Sequence, residues 1–390
     1  MLAGALRRRV WIDQGYFQWT PNFYIIFVAP PGIVSKSTTA SIGSRLLRQI
    51  PDITFGPDAV TWQALTQALA DSTQEVLMPD GLGHPMSCIT IISSEFGTFL
   101  DPSNREMVDV LVSLWDGQIG TWEKSTKTQG SDLVVNPWIN IIACTTPSWI
   151  AQNFPEYMVG GGFTSRCIWV YGETKRHLVA YPGKHIPKNF EQQAANLVHD
   201  LEAISLMTGE YKLSQSAEEW GEQWYTDHYA GRSNTKLDEQ RWGGYWARKQ
   251  THIHKLAMVL AASESNELVI HKHHLVRAQN AVDYMEQDMP KVFELIGKSQ
   301  ESKDIDLLVR FVQRFQAIDK EILIRELTKS MGIMEINNAI TGAVASGLIG
   351  MKAAGERVIV FDKFGMKIEG VSLSSDVLVN VSASATSGKP

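Results

Sequence analysis

The stretch FYIIFVAPPGIVSKSTT, Phe23–Thr39, decides how the rest of the chain is read. Its first six residues form a short, continuous apolar run rich in β-branched and aromatic side chains. That is the mark of a strand buried on both faces. The run breaks at Ala29-Pro30-Pro31-Gly32, and a helical pattern follows from about Ser37 to Gln49 with Ile42, Leu46 and Leu47 on one face. A strand, a turn and a helix beginning at Lys-Ser make a junction suited to phosphate. Backbone N–H groups can wrap the anion, a lysine can neutralise its terminal groups, and a hydroxyl can hold Mg²⁺. Lys36 and Ser37 have the last two chemistries, and the helix points its positive end at the loop.

The loop departs from the GxxxxGK[ST] pattern. Aligned on Lys36, the two glycines fall at Pro30 and Ser35, and only Gly32 lies inside the loop. A plain Lys-Ser helix start after a Pro-rich turn is the alternative. Working outward, Ser87–Ser93 (SCITIIS), Trp138–Cys144 (WINIIAC) and Cys167–Tyr171 (CIWVY) read as further buried strands. Helices are expected at Thr61–Ala70 and Arg105–Leu114. Such alternation predicts an α/β fold with a central, mainly parallel sheet.

Each later strand ends in polar residues. CITIISSEF brings Glu95 directly after its strand, a candidate base for an attacking water, with Ser94 where a metal-facing acid usually stands. A solvated acid opening a helix is the other reading of Glu95. WINIIACTTP ends in Thr145 and Thr146, candidates for sensing a terminal phosphate. Gly160-Gly161-Gly162 leads to Arg166, which could stabilise a transferring phosphoryl group in a neighbouring copy or be an ordinary surface arginine. The order of these pieces is the order a ring-forming P-loop ATPase needs.

Beyond about residue 190 the pattern turns helical, at Phe190–Met207, Ser216–Tyr229, Trp246–Ser263 and His274–Gly297. The segment from about 303 to 361 reads helix, helix, helix and hairpin, the order of a winged helix. The expected domains are 1–185, an ATPase core; 186–299, a helical lid; 300–363, a winged helix; and 364–390, a disordered tail poor in charge. The winged helix's third helix, Glu335–Ser346, holds one acid and no base, so it is expected to serve structure or subunit contact.

The chain resembles uncharacterised P-loop domains of phages, plasmids and integrated elements, often found in primase–helicase replication proteins. The resemblance rests on FYIIFVAPPGIVSKSTT, IISSEFGTF, NPWINIIACTTP and GGGFTSRCIWVY, continues through KLAMVLAAS and Val276–Met285, and covers about residues 20–290. It implies ATP and Mg²⁺ as ligands. Pro31, Gly32, Ser35, Lys36, Ser37 and Thr38 would cradle the nucleotide, and Ser37 with Ser94 would hold the metal. The helical part looks like the lid of minichromosome-maintenance-type AAA+ helicases, which makes Arg248, seven residues before Lys255, a candidate second sensor. It also implies a homo-hexamer that pulls single-stranded DNA through a central channel. Lys124 and Lys127, in a hairpin over Trp122–Gly130, are the candidate channel contacts; an ordinary exposed hairpin is the alternative.

The 390 residues suggest two or three domains. Lys and Arg number 36 against 42 Asp and Glu, for a net charge of −6. That excludes histone-like or polybasic membrane binding, but not contact with nucleic acid through a few loops. Cys88, Cys144 and Cys167 sit singly in apolar runs and read as buried reduced thiols. The histidines at 252/254 and 271/273/274 lack metal-ligand spacing. No apolar run reaches the length of about 18 residues that a membrane helix needs. A cytoplasmic location in a bacterial or phage-infected cell is expected, with primase activity on a partner polypeptide. A DNA-packaging or protein-remodelling ATPase and a nucleotide-binding module without turnover are the alternatives.

Overall fold

The apolar runs become strands of one sheet. In the computed structural model, Tyr24–Val28 (β1), Thr73–Leu77 (β2), Gly83–Ser93 (β3), Trp138–Thr145 (β4) and Cys167–Tyr171 (β5) pair in the order β2-β3-β4-β1-β5. All neighbours are parallel except β2, which runs antiparallel to β3. The described residues are 1–117, 119–126, 130–175, 177–231, 237, 239–294, 296, 300–355 and 357–363.

Sequence and structure differ at the sheet's edge. β2 reads TQEVL, and only Val76 is buried. An outer strand needs few apolar residues, so it carries no buried-strand signature. β3 also starts four residues before the expected Ser87, because its first half pairs with β2. Pro85 is tolerated in that edge segment, beyond the β4 pairing that begins at Cys88. The amino-terminal strand Val10–Asp13 was also missed; it pairs with Gly209–Glu210 and with Gln18–Trp19.

Helices Lys36–Leu47 (α1), Trp62–Asp71 (α2) and Arg105–Asp116 (α3) follow β1 and flank β3, near their expected spans. Thr61 and Asn104 cap the last two, accepting from the backbone N–H of Ala64 and Met107. Gly117, at φ 66°, ends α3 in the left-handed conformation that glycine adopts without strain. Phe190–Leu206 (α4), Gln215–Tyr229 (α5), Glu239–Ala262 (α6) and Lys272–Glu286 (α7) form the helical part.

The chain divides into two compact units, Met1–Ile296 and a second starting at Gly297. Residues on both sides of 185 share the first unit. The reason lies in α6 and α7. Ile253, Ala257, Met258, Leu275 and Val282 join the same buried cluster as Tyr24, Ile26, Ile91 and Ile141. A helical segment that completes the sheet's core cannot be a separate core.

The second unit runs Gln300–Phe315 (α8), Ala317–Asp319 (β6), Lys320–Leu327 (α9), Ile333–Ala345 (α10), Ile349–Ala354 (β7) and Arg357–Asp362 (β8), with an antiparallel sheet ordered β6-β8-β7. Leu308, Val312, Leu323, Ile336, Ile340 and Val360 form its own core. The strand β6 was not expected. Asp319 at its end caps α9, accepting from the Glu321 N–H at 2.8 Å. The expected disordered tail lies outside the described residues. Among those described, no helix is long and apolar enough to cross a membrane.

Candidate functional site

Parallel pairing brings three strand ends to one edge of the sheet. Val28 stands opposite Thr145 on one side and Tyr171 on the other, and Ser93 pairs with Ala143. The loop after β1, the Ser94-Glu95 step after β3 and Thr145-Thr146 after β4 therefore share that edge. The Ala29 N–H donates to the Thr145 carbonyl at 3.2 Å, tying the loop's first residue to β4.

Within the loop, Gly32 has φ 70° and open space around its α-carbon. Ser35, at the position where the common pattern has glycine, has φ −83°, which any residue adopts. The backbone therefore does not demand glycine there. Ser35 gives α1 no side-chain cap, and the Ser37 and Thr38 hydroxyls are exposed beside it. The half-buried Lys36 folds back, its Nζ donating to the Ala29 carbonyl at 3.0 Å.

Ser94 and Glu95 are both exposed, and Glu95 begins the short helix Phe96–Phe99. Its carboxylate has no hydrogen bond or ion pair among the described residues; only its backbone carbonyl is engaged, by Ser93 Oγ at 2.9 Å. Of the two threonines, Thr146 uses its hydroxyl to cap the helix Pro147–Asn153, accepting from the Trp149 N–H at 3.2 Å. Thr145 is buried, and its register opposite Val28 puts its backbone at this edge.

The two arginines are elsewhere. Arg166 precedes Cys167, which pairs with Tyr24 at the opposite end of β1 from the loop. It is buried, and its Nε and Nη2 donate to both Asp116 oxygens at 3.1 and 2.6 Å. Its Nη1 donates to the Gly162 carbonyl at 2.8 Å. The expectation of an arginine presented to a neighbouring copy is corrected accordingly: this guanidinium is spent inside its own chain. The glycine run has a packing reason too, since a Cβ on Gly160 would lie 1.9 Å from the Arg241 carbonyl of α6.

Arg248 donates within its own helix, to the Gly244 carbonyl at 3.2 Å. Burial lowers its pKa, followed by the opposed influences of Arg166 and Asp116. Its charged neighbours are thus the Arg166 pair, at the far end of the sheet from the loop, and not the expected nucleotide edge. Lys255 shares its face of α6 but points into the core. Its Nζ donates to Asn22 Oδ1 at 2.6 Å and sits 3.7 Å from the Trp115 ring centroid. Spacing correctly placed both bases on one face; it could not say that the face is buried. Asp116, the partner that sequence reasoning missed, lies 50 residues from Arg166. Asp116→Ala is expected to cost about 2 kcal/mol, below the value for a fully enclosed pair because Asp116 is half exposed. Urea denaturation measures this.

The hairpin forms from Thr121–Thr126 and Gly130–Val135, with Lys124 opposite Asp132. Trp122 anchors it, donating from Nε1 to Ser113 Oγ at 2.9 Å. Lys127 lies outside the described residues.

No family model matches the chain, and no curated protein matches it. The functional reading therefore rests on its own residues.

Among the described residues, one group has metal-like composition: Glu264, His273 and His274. Sequence spacing did not reveal it, because the fold supplies Glu264 from the end of α6. Its hydrogen bonding opposes ligation. The His271 N–H donates to His274 Nδ1 at 3.0 Å, so in the neutral ring the hydrogen sits on Nε2, facing Glu264 Oε2 at 3.1 Å. A metal at that nitrogen would displace the hydrogen, while Arg277 already holds the other Glu264 oxygen. The three cysteines are unpaired thiols, and burial pushes each of them up.

Proposed function

We propose that this chain is an Mg²⁺-dependent ATPase that acts on DNA as a ring of copies, most simply a homo-hexamer. In this reading it is the replicative helicase of a phage, plasmid or integrated element and works in the cytoplasm. Residues 1–185 are its P-loop core, 186–299 a lid built onto that core, and 300–363 a winged helix serving subunit contact. The observation that carries the reading is the meeting of the loop with Glu95 and Thr145 at one edge of a parallel sheet. β4 lies between the loop strand and the acid strand, which separates them by about 10 Å. That is room for a terminal phosphate and a water.

Each residue then has a defined task. Lys36 exchanges the Ala29 carbonyl for phosphate oxygens, trading a neutral acceptor for charged ones. Backbone N–H groups at Gly32 and at the uncapped start of α1 bind the remaining phosphate oxygens. Ser37 and Ser94, both exposed, would hold Mg²⁺, which when bound neutralises charge on the phosphates. Glu95 takes the proton of the water that attacks the terminal phosphorus, as the bond to the bridging oxygen breaks and ADP leaves. Thr145 orients the terminal phosphate. Arg166 is left out of this assignment because its guanidinium is engaged with Asp116 and the Gly162 carbonyl, and Arg248 because its charged neighbours lie at the far end of the sheet.

Lys36→Ala is expected to abolish hydrolysis and weaken ATP binding by about tenfold or more. Steady-state turnover with and without single-stranded DNA, plus a strand-displacement assay, tests the motor. Pro30, Ser35 and Ser94 favour a second reading, a nucleotide-binding module without turnover. Wild-type protein that binds ATP but turns none over, with or without DNA, decides for that reading. Turnover indifferent to DNA points instead to a protein-remodelling ATPase.

A further inference from the structure

The run Arg7-Arg8-Arg9 plays no part in the proposed hydrolysis, yet Arg7 and Arg8 are buried. Arg8 is the more isolated. It is 4% exposed, donates from Nη1 to the Pro137 carbonyl at 2.8 Å and from Nη2 to the Gly117 carbonyl at 3.1 Å. It forms no ion pair among the described residues. A guanidinium has five N–H groups, so two bonds to neutral carbonyls leave it under-used. Burial pulls its pKa down to about 10, and only the Cys88 thiol opposes that shift. Enclosing a cation without an anion is costly, and a ligand that brings the anion recovers the cost.

Arg8 lines a cavity of about 520 Å³, within the usual range for small-molecule sites. Trp11, Met78, Met86 and Ile119 provide apolar wall, and Met86 is buried. Glu210 lines it as well, and it is the strand neighbour of Trp11 in the pairing of Val10–Asp13 with Gly209–Glu210. One Glu210 oxygen is held by Lys212, while the other has no hydrogen-bond partner among the described residues. Asp80, also in the lining, has both oxygens engaged, by the Leu82 N–H and by His84. The site thus combines an anion-seeking floor, a cation-seeking wall and an apolar interior. Two carboxylates in the lining oppose a polyanion such as nucleic acid. The cavity is also separate from the nucleotide edge: Met86 precedes Ser93 on β3 by seven residues, roughly 23 Å.

We infer that this cavity binds a free α-amino acid with a large apolar side chain. Arg8 holds its carboxylate, Glu210 its ammonium group, and Trp11, Met78, Met86 and Ile119 enclose the side chain. The inference does not depend on the ATPase reading, and its test needs no nucleotide.

Calorimetry on the full chain with L-phenylalanine, L-tryptophan, L-leucine and L-methionine, each up to millimolar concentration, reads binding directly. At least one should bind. Its N-acetyl derivative, lacking the ammonium group, and its amide, lacking the carboxylate, should each bind about tenfold more weakly. Glu210→Gln should remove the difference between the free and N-acetyl forms while leaving the loss on amidation intact. This avoids relying on Arg8→Met, which could fail to fold. Ile119→Lys, at an exposed position, should block the side-chain pocket in a folded protein. The inference is overturned if none of the four binds, or if binding is indifferent to N-acetylation, to amidation or to Ile119→Lys.

Discussion

Glu95→Gln is expected to slow ATP hydrolysis by about 10²- to 10⁴-fold, the range for losing a positioned general base, while ATP still binds. The magnitude follows from the role. The amide keeps the size and exposure of the side chain but cannot accept the water's proton. The same features make the variant interpretable. Glu95 is exposed, and its carboxylate supports no other group, so folding stability should stay within about 0.5 kcal/mol of wild type. Single-turnover hydrolysis and urea denaturation on one preparation separate the two effects. Lys36→Ala, by contrast, should weaken binding as well as turnover. A Glu95→Gln protein that hydrolyses ATP at the wild-type rate removes Glu95 as the base and leaves the Lys36 assignment to stand or fall by itself.

What could be read in advance depended on how far apart the interacting residues are. β1, β4 and β5 announced themselves because strands buried on both faces must be apolar throughout. The order of the three polar strand ends was legible for the same reason, since each lies one or two residues beyond such a run. Edge strand β2 escaped because an edge needs few apolar residues. The surroundings of the two arginines were hidden for a different reason. Arg166 after a glycine run and Arg248 on a helix both look available in sequence. Their availability is decided by Asp116 and by the packing of α6 on Gly160, contacts made across 50 residues or more. Arg8 is the extreme case. In sequence it is one of three consecutive bases, with nothing to single it out. Its burial depends on carbonyls at 117 and 137 that no local pattern foretells.

The same helix α6 sets the largest stability effect expected of this fold, which is a loss of stability in acid. His252 and His254 are both buried, and burial holds each near a pKa of about 4, against 6.5 for an exposed imidazole. Their hydrogen bonds define the neutral forms. His252 donates from Nε2 to the Ser165 carbonyl at 3.0 Å, and its Nδ1 is buried without a hydrogen-bond partner among the described residues. His254 donates from Nδ1 to the Gln250 carbonyl at 2.8 Å, with its ring 4.8 Å from that of Trp19. A second proton would have no acceptor at His252, and there it would also face Lys255, Arg248 and Arg166. Because the folded values lie below the unfolded ones, the unfolded chain binds more protons between pH 6.5 and 4. Stability is therefore complete above about pH 6.5, falls through that window and is lost below the folded values. Each histidine accounts for about 3 kcal/mol, and two together approach the whole stability of a typical domain. His254→Phe keeps an aromatic ring against Trp19 and removes one titration. Its urea midpoint should therefore fall less steeply from pH 7 to 4.5 than that of the wild type. Parallel pH profiles for the two proteins would mean that His254 is not neutral in the folded state.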